Sequence, residues 1–71
     1  MSGYSSSSRE ESAMQTVRTI ARVAQMLIEL RDEYVERPRE DLLEQIEQRL
    51  DDLIGLRQEL RTKLEGVRVE E

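Results

Sequence analysis

One proline divides this chain. Pro38 is the only proline among the 71 residues, and helix-periodic sequence lies on either side of it. The residue before a proline is biased away from helical dihedrals, so a first helix must end by about Arg37. A proline is tolerated in the first turn of a helix, where its missing N–H costs nothing, so a second helix can begin at once. Glu40 and Asp41 then fall where carboxylates favour the positive end of the helix dipole.

Upstream, Ser8 with Glu11 and Ser12 with Gln15 both have capping-box spacing, which marks a helix start. From there Ala13, Val17, Ile20, Ala24, Leu27 and Tyr34 recur at helical intervals. Downstream, Leu43, Ile46, Leu50, Leu53, Leu60, Leu64 and Val67 do the same, with Gly66 as a candidate C-terminal cap. Gly55 lies off that stripe and should cost about 1 kcal/mol relative to alanine. A short link favours antiparallel neighbours, the rival being one long helix kinked at Pro38. The expected fold is all-α: an antiparallel two-helix hairpin, helical over about residues 9–36 and 38–66. Residues 1–8, MSGYSSSS, read as a flexible serine-rich tail, 9–66 as the hairpin, and 67–71 as a short C-terminal tail.

A domain this small stabilises itself weakly and usually needs disulfides, a metal or oligomerisation. Cysteine and histidine are both absent, so disulfides and thiolate or imidazole ligation are excluded. Association is the remedy left. The first helix is apolar around about two-thirds of its girth, against the roughly 100° of a simple amphipathic helix. One companion helix cannot shield that. Either Val23, Met26 and Leu30 or Met14, Ala21 and Ile28 must find another neighbour. The expected self-association or partner surface is therefore Val17, Ile20, Val23, Ala24, Met26, Leu27, Ile28 and Leu30, with helix 1 central and helix 2 covering one side. A two-fold dimer completing a four-helix bundle is the simplest closed solution. A chaperone-like subunit holding one specific partner protein through the helix 1 flank meets the same need.

Arg31 and Arg57 stand in apolar stripes and are candidates for fixing register or binding an anion, with Glu44 or Glu47 as cross-hairpin partners for Arg31. Charge is uneven along the rod. Arg18, Arg22, Arg57, Arg61 and Lys63 against Glu59 make the open end net +4, while residues 25–51 around the turn are net −5. Such polarity suits an antiparallel partner. It also raises an RNA-binding alternative through Arg18, Arg22, Arg57 and Arg61. Against that stand an overall charge of −5 and only two aromatic residues for stacking on bases.

The row Glu40, Glu44, Glu47 and Asp51 reads as a solvated face, because helical carboxylate metal sites also use histidine. No nucleophile–base pair, Gly-rich phosphate loop or metal signature is present. The expectation is a non-enzymatic interaction module, an adaptor or regulatory subunit, without cofactor or small-molecule substrate. No run approaches the roughly 20 apolar residues of a membrane span, and the start lacks signal-peptide order, so the cytoplasm is the expected compartment.

Overall fold

The computed structural model describes residues 3–69, with side chains from Glu10 to Val67. Two helices, α1 (Gly3–Glu36) and α2 (Glu40–Val69), pack against each other as a hairpin. They run antiparallel: Thr16, early in α1, meets Glu59 and Lys63, late in α2. The result is a rod of 54 × 16 × 12 Å, one helix thick.

The turn follows the expected logic with one adjustment. The Arg37 N–H still donates to the Glu33 carbonyl at 2.8 Å, and the helix ends there, before the proline. The Leu42 N–H donates to the Arg39 carbonyl at 3.1 Å, closing the first turn of α2. Arg39 is thus the residue half inside the helix. Pro38 lies one position outside it, in the linker of residues 37–39, not in the first helical turn as expected. Glu40 and Asp41 do occupy that turn.

Both outer ends run further than their sequence signals. The helix continues past Ser12 and Ser8 to Gly3, so residues 3–8 are helical where a tail was expected. At the other end α2 passes Gly66, whose φ is not left-handed, and reaches Val69. Once a helix is nucleated, each added residue closes a further hydrogen bond, and serine's deficit is only a few tenths of a kcal/mol. The expected tail residues Met1, Ser2, Glu70 and Glu71 lie outside the described residues.

The seam between the helices is strictly heptad-like. On α1 it comprises Ala13, Thr16, Ile20, Val23, Leu27, Leu30 and Tyr34, all buried or half-buried. On α2 it comprises Leu42, Ile46, Arg49, Leu53, Leu56, Leu60, Lys63 and Val67, again all buried or half-buried. Steps of three and four alternate without a break, the pattern of helices that wind around each other with a left-handed twist. Burial is shallow all the same. Among the described residues only Val23, Leu42 and Thr16 are buried outright.

Gly55 sits in α2 away from this seam, and a Cβ added there would meet nothing within 4 Å. Gly55→Ala should therefore stabilise the protein by about 0.5–1 kcal/mol through reduced chain entropy alone. A rise in the thermal unfolding midpoint, with unchanged helical circular dichroism, is the outcome expected. An unchanged or lower midpoint would mean that Gly55 has a neighbour the hairpin does not supply.

Candidate functional site

Each residue advances an α-helix by 100°. Because α1 and α2 are antiparallel, one residue past the seam turns toward the same broad side of the rod on both helices. One residue before the seam turns toward the other side. The two sides differ sharply in chemistry.

One residue past the seam, α1 presents Met14, Val17, Ala21, Ala24, Ile28, Arg31 and Val35. On α2 the same side carries Leu43, Glu47, Leu50, Ile54, Arg57, Arg61 and Leu64. One residue before the seam, α1 has Ser12, Gln15, Thr19, Arg22, Met26, Glu29 and Glu33. Opposite them α2 has Asp41, Gln45, Gln48, Asp52, Gly55, Glu59 and Thr62. A depression of about 480 Å³ that brings Thr19 together with Asp52, Gly55 and Glu59 lies on this second, polar side. Of the nine large apolar side chains left exposed among the described residues, eight belong to the first side and only Met26 to the second. Those eight are 44–73% exposed. The candidate functional site is this one-sided apolar face.

The residues singled out from sequence separate into three groups. Ile20, Val23, Leu27 and Leu30 are used inside the hairpin seam. Val17, Ala24 and Ile28 lie on the free apolar face, and Met26 lies on the polar one. The face is not a property of α1 alone: Leu43, Leu50, Ile54 and Leu64 of α2, absent from the expected surface, make up half of its large side chains. Of the arginines, Arg31, Arg57 and Arg61 stand on the free face, Arg22 on the polar face and Arg18 on the outer edge of α1. Arg31 does not reach across to Glu44 or Glu47. Its Nη2 pairs instead with its neighbour Asp32 at 2.9 Å.

Polar residues do enter the seam, but others than those expected. Arg49 takes a seam position with its stem packed, and its Nε reaches Asp52 Oδ2 at 2.9 Å toward the polar face. At the open end the Lys63 ammonium donates to Thr16 Oγ1 at 2.7 Å, the Ser12 carbonyl at 3.1 Å and Glu59 Oε2 at 3.1 Å. Thr16 Oγ1 in turn donates to Glu59 Oε2 at 2.9 Å. An ammonium has three donors, and all three are used. Among the described residues no buried side-chain polar atom lacks a partner. This cluster is a lock on the hairpin's register.

The Thr16 hydrogen bond, followed by the hydrogen bond and charge of Lys63, holds the Glu59 carboxyl below its ordinary value, while a slight desolvation opposes them. The group is exposed, so solvent screens the effect heavily. Among the described residues no three carboxylates come close enough to hold a metal ion. No described helix is long and apolar enough to cross a membrane. No family model matches the chain, and no curated protein or solved structure shows significant similarity to it.

A carboxylate whose folded pKa is lowered stabilises the fold above its unfolded value and loses that contribution as the pH falls through the folded one. The wild type should thus unfold at a higher temperature than Glu59→Gln at neutral pH. The gap should narrow as the pH falls below the ordinary glutamate range and the carboxylate protonates. A gap of the same size at pH 3 and pH 7 would show that the charge of Glu59 plays no part in the lock.

Proposed function

We propose that the chain is a non-enzymatic interaction module that pairs with a second copy of itself through the free apolar face. The product is a four-helix bundle that serves as a small adaptor, structural or regulatory subunit. The cytoplasm, where a chain without disulfides is at home, is part of that reading. The observation that carries it is the segregation of exposed apolar side chains to one broad side while the other side is polar. Scattered apolar residues are ordinary on any surface, whereas a contiguous face of them marks an interaction surface.

Magnitudes point the same way. Fully burying a Leu, Ile, Val or Met side chain is worth about 1.5–3 kcal/mol. The eight side chains are each roughly half-exposed, so covering them contributes about 1 kcal/mol apiece on each copy. That total is large enough to offset the estimated 4–15 kcal/mol lost in freedom on association. A face of this flat, two-helix shape has the form that another two-helix layer complements. The RNA-binding alternative gains no support from the placement of its residues. Arg18, Arg22 and the pair Arg57 and Arg61 face three different sides, so they offer no common track for a phosphate backbone.

Leu50 and Ile54 lie at the centre of the free face and outside the seam. The double change Leu50→Asp with Ile54→Asp should weaken self-association at least 100-fold, as read by sedimentation equilibrium. Helical circular dichroism should persist. The control Gln48→Asp, on the polar face, should leave association unchanged. A wild-type chain that stays monomeric through the high-micromolar range would overturn the proposal. A wild-type monomer that becomes a complex only with another protein would assign the face to that partner.

A further inference from the structure

Resting on that self-association, we propose that the two copies pair with their turns at opposite ends. In this arrangement α1 lies against α1, α2 against α2, and the two-fold axis passes beside Ala24 and Ile54.

The hairpin's own register sets the levels of the free face. With Thr16 against Lys63 at one end and the turn at the other, a step up α1 matches an equal step down α2. Met14 then lies level with Leu64, Ala24 with Ile54, and Val35 with Leu43. Apolar levels therefore close both ends and the middle. The charged levels between them are not symmetric. Toward the open end stand Arg57 and Arg61, and toward the turn stand Arg31 and Glu47.

A two-fold pair of such faces has two possible polarities. With turns together, each level meets its own copy. Arg31 would then pair with Glu47 of the second copy, but Arg57 and Arg61 of both chains would share two adjacent layers of an apolar interface, with no carboxylate of the face among them. Like charges brought together in an interface are strongly unfavourable. With turns apart, the levels are exchanged about the middle one. Arg61 meets Glu47 of the second copy, twice over, in a layer that also holds that copy's Arg31, so no layer carries more than one uncompensated charge. Arg57 falls among Leu50 and Ile28, which cover its stem, and the Met14–Leu64 end closes on the Val35–Leu43 end. Ala24 meets its own copy on the axis, where a small side chain lets two helices approach closely. Exposed pairs at the rim cancel: Arg18 faces Asp32 of the second copy, while Glu44 faces Glu65, and such pairs are worth little. The wider charge imbalance, net +4 against net −5 between the open end and the turn, favours the same polarity.

Two measurements on the full chain test this. The first is charge reversal read by sedimentation equilibrium. Arg61→Glu and Glu47→Arg should each weaken the dimer at least about fivefold, and the double variant should recover most of the loss. If Arg61→Glu instead tightens the dimer, the turns lie together. The second uses a spin label on Arg37→Cys in the linker, in a chain with no other cysteine. Linker and axis are about 13 residues apart, so turns apart predict a label separation of roughly 40 Å at 1.5 Å per residue. A separation under about 20 Å, two helix widths, would overturn the proposed polarity. A dimer with the short distance refutes only the polarity. A wild-type chain that shows no dimer refutes the self-association beneath it.

Discussion

A pair of helices has one mutual interface, and everything in this molecule follows from that limit. Each helix can hide one stripe from water in the other. The stripe is a heptad seam in which steps of three and four alternate from Ala13 to Tyr34 and from Leu42 to Val67. With no third element, few side chains are enclosed completely. The seam is a line of half-covered residues, and its apolar neighbours on one side have nothing to pack on. The unsatisfied surface is therefore built into the same pattern that makes the fold, since both helices carry a second stripe displaced by one residue.

Polar groups keep the two stripes from exchanging roles. Thr16, Lys63 and Arg49 occupy seam positions that an apolar residue could fill. Thr16 and Lys63 meet across the seam, and their bonds to each other, to Glu59 from Thr16 and to the Ser12 carbonyl from Lys63 exist only in the observed register, whereas Arg49 pairs with Asp52 of its own helix. Rotating either helix by one residue would bury other groups, Arg31 and Arg57 among them, and strand this network in solvent. Such polar seam residues contribute little net stability in water, but they discriminate between alternative packings. The partners of Arg49 and Lys63 on α2, Asp52 and Glu59, lie on the polar side, away from the free apolar face.

The sequence made the existence of the helices, the break at Pro38 and the surplus of apolar surface legible. The phase of the seam was harder to read. The stripes apparent in the sequence point midway between the two real faces. They share Ala13, Ile20, Leu27, Tyr34, Ile46, Leu53, Leu60 and Val67 with the seam, and Val17, Ala24, Leu43, Leu50 and Leu64 with the free side. When an apolar arc is wide, its centre of mass is a poor guide to where a single partner will sit. Hence Arg31 and Arg57 drew notice as intrusions in a core while Arg49 and Lys63, which do enter the seam, did not. The half of the free face contributed by α2 is hard to read from sequence for the same reason, because Leu43, Leu50 and Leu64 share one helical spacing with the seam residues Ile46, Leu53 and Leu60.

Local chemistry was enough to determine what the chain is made of. A lone proline and long apolar periodicity specify two helices and a reversal, and the lack of cysteine and histidine removes the usual staples of a small domain. Only packing decided which side chains face inward. A helix with two adjacent apolar stripes has no intrinsic preference between them. The choice is made when both helices dock at once and Thr16 and Lys63 find their partners across the seam. That same docking gathers the leftover stripes of two separate helices onto one side, a coincidence set by antiparallel geometry and visible only once the two chains of residues lie side by side.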